Sequence, residues 1–309
     1  PIAFARHLDT LATALAATQP ASLLAAVDDG ALPDRARLDY ARERATSLRR
    51  QMIAAQEELD WQCYRSYGLL PPGTDADAVE CATPPEVALG ERAFEIALAR
   101  RVADGREQTT WFERHGSTPV AEIPAHWPEN YRRVVQRRVE LIERDRNLGL
   151  IERPEFKRRW NALDWHSLEQ AALRDWLLDS LEAPNLWPAS PDQTPQLTTV
   201  NRLADKVRAD AGFMQIAELY AGHSGFDLTQ VVAELVAGES VPFLPALRYT
   251  DTGLRKRAQW EDTWALQRRE DAGEKVGKIP VPPKYQGKDF LRTDFWRLRG
   301  GLDVPKERW

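Results

Sequence analysis

An unbroken helical pattern from residue 33 to residue 67 most constrains how this chain can fold. Pro33 suits the first turn of a helix, and no glycine or proline interrupts the run before Gly68, which suits the residue after a helix end. A helix of roughly 35 residues would span about 50 Å at about 1.5 Å per residue. We therefore predict a spine helix that connects several helical regions.

One stripe of this predicted helix is apolar and indicates packing rather than chemistry. Its members recur every three or four residues: Leu48, Met52, Ala55, Leu59, Cys63 and Tyr67. Cys63 lies inside the stripe, and the sequence shows no base or cationic partner that would activate its thiol. We predict a structural role for the stripe, with Trp61 and Tyr64 on its flank.

Helical periodicity also dominates the rest of the chain. An opening segment spaces apolar residues on one helix face from Phe4 to Leu15 and ends before Pro20. Further helical patterns cover residues 91–103, 129–146, 167–181, 198–209, 228–237 and 252–271, while strand-like alternation is rare. The pattern predicts a mainly α fold, in which helical bundles follow the long spine helix and an extended C-terminal tail begins near Ile279, with little sheet.

Two proline-containing linkers divide the helical pattern. They are "PPGTDADAVECATPPE", residues 71–86, and "APNLWPASPDQTPQ", residues 183–196. We predict a helical entry with the spine helix over residues 1–70 and a helical domain over residues 71–190. A second helical domain with a basic C-terminal tail would cover residues 191–309, with the boundary near Pro191.

Composition favours a soluble protein of the cytoplasm. A hydrophobic content of 43% with eleven Trp is typical of a folded core, whereas 29% charged residues and a negative mean hydropathy argue against a membrane partner. No apolar run approaches the ~18 residues that a spanning helix needs. Cys63 and Cys81 are too few for a disulfide framework or a cysteine-rich zinc site, so we expect a reducing compartment.

The motifs tested for catalysis are incomplete. The five His residues include no pair at the spacing of a helical zinc site, so no metal site is predicted. The string "GEKVGK", residues 273–278, has three residues between its glycines instead of four and lacks the hydroxyl of a phosphate loop. Glu155 and Lys157 could serve a metal-dependent nuclease, but such a site needs a strand and a further acidic ligand, so this hypothesis ranks last.

Charge is unevenly distributed along the chain. The net charge is −5, yet residues 248–309 hold 15 Lys and Arg against 10 Asp and Glu, and residues 129–160 hold 10 against 6. Such asymmetry is typical of a surface that faces a polyanion. A mixed solvated surface explains it equally well, and both interpretations stay open.

Basic and aromatic residues alternate in "GLRKRAQWEDTWALQRRED", residues 253–271, which predicts a nucleic-acid surface. Arginine neutralises phosphate and tryptophan stacks on bases. The alternative is that the indole rings belong to the core and the arginine stems cover them. Candidate DNA-binding residues here and on the helix of residues 129–146 are Arg255, Lys256, Arg257, Arg268, Arg269, Arg132, Arg133, Arg137, Arg138, Trp260 and Trp264.

Several long segments resemble the carboxy-terminal region of the PglX family. Members of this family are adenine-specific DNA methyltransferases of phage-growth-limitation systems, a branch of bacteriophage exclusion (BREX). The similar segments are residues 51–70, 111–160, 247–274 and 279–309, and the most specific strings are "GLRKRAQWEDTWALQRRED" and "LDVPKERW".

The resemblance implies a non-catalytic region that follows a methylase domain. In the family, that domain binds S-adenosylmethionine and carries an Asn/Asp-Pro-Pro-Tyr/Phe loop that engages the flipped adenine. The nearest string here is Val281 to Tyr285, "VPPKY", which lacks the polar residue before the prolines and the adjacent aromatic. We therefore assign no catalytic residue and no cofactor to this chain. The implied role is recognition or positioning of double-stranded DNA, and the alternative is a docking scaffold for other phage-defence proteins.

Overall fold

A computed structural model describes residues 1–26, 31–187 and 196–292 and confirms the mainly α class. The α-helices of these residues are α1 (Ile2–Ala17), α2 (Pro20–Ala25), α3 (Arg35–Ser66), α4 (Ala93–Ala103), α5 (Trp111–Arg114), α6 (Glu129–Arg144), α7 (Arg146–Ile151), α8 (Trp165–Leu181), α9 (Val200–Val207), α10 (Ala211–Ala221), α11 (Leu228–Val236), α12 (Leu244–Leu247) and α13 (Asp251–Asp271). The only β pairing in the described part of the chain is an isolated antiparallel bridge between Tyr249 and Phe290. None of the described helices is long and apolar enough to cross a membrane.

Helix α3 is the predicted spine helix, and it ends where the sequence indicates. It runs for 32 residues. Gly68 adopts a φ of 64°, which lets the Leu69 N–H donate to the Tyr64 carbonyl at 2.9 Å. This bond satisfies a carbonyl that the last helical turn leaves without a partner, and Pro71 follows shortly after.

The buried face of α3 differs from the predicted stripe in its last turns. Tyr67 is 80% exposed and Cys63 is only half-buried, so the prediction that the stripe continues to Tyr67 is wrong. Trp61 is fully buried instead, together with the carboxylates of Glu57 and Glu58. Two acidic residues can lie on this face because hydrogen-bond donors from other segments reach them, as described below.

Residues of the chain form two compact units. The first contains residues 1–27 and 35–169, and the second contains residues 28–34 and 170–309. The predicted boundary near Pro191 lies outside the described residues, and the predicted domain limits stay a prediction.

The first unit is built around an aromatic core. Helix α1 packs along α3, and α4 packs on α6. Trp111 meets Phe94 edge-to-face at 5.6 Å, and Trp127 meets Tyr131 in the same way at 5.1 Å. Such pairs fix the positions of the rings in addition to burying apolar surface. Polar side chains on the surface of this unit are therefore held by a rigid core.

The second unit ends in a segment that folds back on α13. Helices α9, α11 and α12 pack together, and a separate aromatic cluster contains Tyr249, Tyr285 and Phe290. The described part of the predicted tail is irregular apart from a 3-10 turn at Gly287–Asp289 and the bridge at Phe290. The Asp289 carbonyl accepts a hydrogen bond from the Thr250 N–H at 3.0 Å, which joins this turn to the start of α13.

Gly253 allows this close approach, and we expect a Gly253→Ala variant to loosen it. A Cβ at this position would overlap the backbone carbonyl of Asp289, so one of the two segments must move. Overpacking of this kind costs roughly 1–3 kcal/mol. We expect faster tryptic cleavage after the exposed Lys284 and Lys288 in the variant. Gly277→Ala is the matched control, because no atom lies within 4 Å of a Cβ there. Equal cleavage rates in the two variants would contradict the argument.

Candidate nucleic-acid interface

Helix α13 carries the most exposed of the predicted DNA-binding residues. The Thr250 side chain caps its start by accepting from the Gly253 N–H at 3.3 Å. Arg255, Arg268 and Arg269 are exposed along the helix. These side chains are available to a polyanion, because only weak surface contacts hold them in the structure.

Lys256 and Arg257, by contrast, are engaged within the second unit. Lys256 Nζ lies 2.7 Å from the fully buried Asp289 carboxylate and also donates to the Lys284 carbonyl. The Arg257 side chain is 19% exposed and pairs with Glu261. We therefore assign Lys256 to the attachment of the C-terminal segment rather than to a nucleic-acid surface.

The two tryptophans of α13 fit the packing interpretation. Trp260 is half-buried against the aromatic cluster of Tyr249, Tyr285 and Phe290, and its indole N–H donates to the Pro283 carbonyl at 2.7 Å. Trp264 is also half-buried. A ring held in this way offers little face for stacking on a base, so Trp260 is a packing residue.

Helix α6 places its four arginines in different environments. Arg132 and Arg133 are exposed, and Arg133 pairs with Glu129 on the preceding turn at 3.0 Å. Arg137 pairs with Glu140 at 3.3 Å. Arg138 is fully buried. Arg138 therefore cannot contact a nucleic acid in this conformation, and we remove it from the candidate interface.

Arg138 belongs instead to a buried charged cluster. Its Nη2 donates to Glu58 Oε2 at 2.7 Å, and its Nε donates to the Val79 carbonyl at 2.9 Å. The same Glu58 oxygen accepts from the Cys81 N–H at 2.8 Å. Burial disfavours a charged guanidinium, but Glu58 and Glu57 outweigh this and raise the pKa of Arg138. Arg138 thus remains a cation in the core.

Glu57 lies beside this cluster with a different protonation tendency. It accepts one hydrogen bond, from the Ala93 N–H at 2.8 Å at the start of α4. Burial raises the pKa of Glu57 to about 7, although attraction to Arg138 and the Ala93 bond oppose the shift. Its protonation state therefore changes near neutral pH.

Lys157 lies in a second buried cluster, which does not support the nuclease hypothesis. Its Nζ is 2.8 Å from Asp60 Oδ2 and 2.8 Å from Glu152 Oε1, and its side chain is 6% exposed. Burial opposes the charge, yet Glu152 and Asp60 outweigh it and raise the pKa of Lys157. Glu155 is exposed on a 3-10 turn rather than on a strand. Among the described residues, no group of three or more His, Cys, Asp and Glu is placed to hold a metal ion.

A groove of 410 Å³ beside α6 has mixed charge. Arg133 and Arg137 line it together with Asn130, and the opposite lining includes Asp75 and Asp77. Each of these arginines also has a carboxylate partner on its own helix. Because opposite charges lie so close together, the groove attracts a polyanion only weakly.

Comparisons with known proteins show which family and which relative this chain is similar to. The family model described as Domain of unknown function (DUF7008) matches residues 52–309. The chain is 48% identical over 320 residues to the adenine-specific methyltransferase PglX of Streptomyces coelicolor, with all of this chain covered. It spans 26% of the length of that relative, in its C-terminal part. No solved structure matches the chain.

Proposed function

Since the chain belongs to the DUF7008 family and corresponds to the C-terminal region of a PglX methyltransferase, as its resemblance predicted, we propose that it positions double-stranded DNA for adenine methylation in bacteriophage exclusion. In this proposal the chain is not itself catalytic. S-adenosylmethionine and the pocket for the flipped adenine belong to the methylase domain. Enzymes that flip bases need surfaces that hold the duplex while the pocket takes the base.

The exposed arginines of α13 are the observation that carries this proposal. Arg255 and Arg269 are fourteen residues apart, so they lie about 21 Å apart along the helix and within about 40° of each other around it. Phosphates of one DNA strand repeat about every 3.4 Å, so this distance corresponds to roughly six nucleotides. Arg269 pairs with Glu274, but both side chains are more than half exposed. A phosphate can replace such a partner because exposed ion pairs contribute little.

An Arg255→Gln/Arg269→Gln variant tests this surface. We expect its affinity for duplex DNA to fall, and the slope of log affinity against log salt concentration to decrease in magnitude by about 2, since each phosphate contact contributes about 0.9. Fluorescence anisotropy with a labelled duplex at several salt concentrations measures both quantities. Arg202→Gln/Arg208→Gln removes two exposed charges from the same unit and is the matched control. An unchanged slope, or no binding by the unmodified chain at low salt, would refute the proposal.

A docking scaffold for other phage-defence proteins is the second candidate function. Leu150, Phe156 and Leu163 are 49%, 68% and 74% exposed and lie within fourteen residues of one another in the first unit. Exposed large apolar side chains favour a protein partner where they form one patch, and these three are close in the sequence. The tryptophans of the C-terminal tail, at positions 296 and 309, could also serve such a surface but lie outside the described residues. This function is favoured if the chain does not bind DNA at low salt.

A further inference from the structure

A polar cleft of 710 Å³ lies in the first unit, and none of its lining residues belongs to α6 or α13. Its two sides are residues 107–115 and residues 154–161. Polar side chains dominate its lining, among them Gln108, Thr109, Thr110, Arg114, Arg159 and Asn161. Its volume falls in the range of about 300–1,000 Å³ that is usual for ligand sites.

The two arginines of this cleft have no internal partner in the described part of the chain. Some exposed arginines of the unit, such as Arg65, Arg106 and Arg133, pair with a nearby carboxylate. Arg114 and Arg159 are exposed, and neither guanidinium forms an ion pair or hydrogen bond with any residue that the structure describes. Two cations that line one concave surface without an internal partner are suited to an anionic ligand.

The carboxylates of the cleft reduce this positive charge only in part. Glu107 is neutralised by Arg101, whose Nε lies 2.6 Å from it. Glu155 is the other acidic residue of the lining, and it is exposed. The cleft therefore keeps an excess of positive charge, and Glu155 opposes the binding of an anion there.

The base of the cleft is rigid and presents hydrogen-bond donors. The His115 ring lies 3.9 Å from the Trp111 indole, centroid to centroid, and the indole N–H of Trp111 donates to the buried Glu95 carboxylate at 2.9 Å. Thr109 Oγ1 accepts from the Trp111 backbone N–H at 3.0 Å, which leaves its hydroxyl hydrogen to donate to a ligand. Both rings are almost completely buried, so they support the cleft and leave no open face for base stacking.

We propose that this cleft binds a phosphate group of the DNA backbone, held by the guanidinium groups of Arg114 and Arg159 and by the threonine and amide donors of the lining. The inference rests on the proposed function and adds a second contact region to it, in the first unit. Backbone phosphate fits better than a base, because the cleft offers fixed donors and charge but no exposed aromatic face.

An Arg114→Gln/Arg159→Gln variant tests the cleft by the same anisotropy measurement. We expect the salt slope to decrease in magnitude by about 2 and the affinity to fall at low salt. Arg42→Gln/Arg44→Gln on α3, which removes two exposed charges from the same unit, should leave both unchanged. Arg114→Lys/Arg159→Lys should keep most of the slope because it keeps the charge. Glu155→Gln should act in the opposite direction and tighten binding, since it removes a repelling carboxylate.

The outcomes separate the cleft from the wider proposal. If the unmodified chain binds no DNA at low salt, the proposed function fails, and this inference fails with it. If the unmodified chain binds DNA but the Arg114→Gln/Arg159→Gln variant has the same slope, only the cleft inference is overturned. Inorganic phosphate and adenosine monophosphate identify the source of the phosphate. Tighter binding of the free nucleotide than of the duplex, lost in the same variant, would overturn the assignment to the DNA backbone.

Discussion

An Arg138→Met variant should lose about 3–5 kcal/mol of its free energy of unfolding, the usual cost of removing one partner of a buried ion pair. The guanidinium is fully buried and donates to both Glu58 and the Val79 carbonyl. Methionine fills much of the same volume but leaves Glu58 without its cation. The carboxyl group must then stay charged in the core or take up a proton. Urea unfolding followed by far-ultraviolet circular dichroism measures the loss as a shift in the midpoint.

Two further variants make this result specific. Arg137 directly precedes Arg138 in α6, and its side chain is 42% exposed and pairs with Glu140, so Arg137→Met should cost less than about 1 kcal/mol. The double variant Arg138→Met/Glu58→Gln should regain most of the loss, because it removes both charges and keeps an acceptor for the Cys81 N–H. If Arg138→Met unfolds no more easily than Arg137→Met, the buried pair does not stabilise the fold.

The burial of Arg138 could be predicted from helical spacing, but its pairing with Glu58 could not. Arg138 stands three residues after Val135 and four before Ile142, so it lies on the apolar face of α6 rather than with Arg132 and Arg133. Grouping all four arginines as one basic surface overlooked this spacing. Glu58 is 80 residues away in the sequence, and no local pattern indicates that the two side chains meet.

Helices with strong local signals were predicted well, and α10 shows how such a signal can be overlooked. The limits of α3 follow from Pro33 and Gly68, which act locally. Helix α10 has equally local signals: Asp210 caps its start by accepting from the Phe213 N–H, and Gly222 ends it with a φ of 77°. A glycine in its first turn lowers the intrinsic helix propensity, and packing in the second unit outweighs this cost.

The candidate cleft could not be predicted from the sequence because its two sides are far apart in the chain. Arg114 and Arg159 each stand near a buried tryptophan, Trp111 and Trp160, in segments without regular periodicity. Each arginine alone reads as an ordinary surface charge. Only tertiary folding places both on one concave surface and leaves them without an internal carboxylate. The exposure of Arg255 and Arg269, in contrast, follows from the polar side of α13 itself.

The stability of the chain should fall as pH rises from about 5 to 8, and Glu57 should cause much of this change. Burial raises the pKa of Glu57 from 4.5 to about 7, so between these values the folded state holds a proton that the unfolded chain has released. The stabilisation is complete below the unfolded pKa and is lost as pH rises through the folded pKa. The shift corresponds to a change on the order of 3 kcal/mol.

Glu57→Gln isolates this contribution, because the amide oxygen can still accept from the Ala93 N–H but the side chain no longer ionises. We expect the variant to match the unmodified chain near pH 5 and to be more stable at pH 8, by urea unfolding at each pH. Glu140→Gln is the control of opposite sign. Hydrogen bonds from Gln136 and Arg137 lower the pKa of Glu140, so its replacement should give no gain at high pH. A stability difference between Glu57→Gln and the unmodified chain that stays constant from pH 5 to 8 would mean that Glu57 is ionised in the folded state throughout. Its buried charge would then be balanced by Arg138 and the Ala93 N–H.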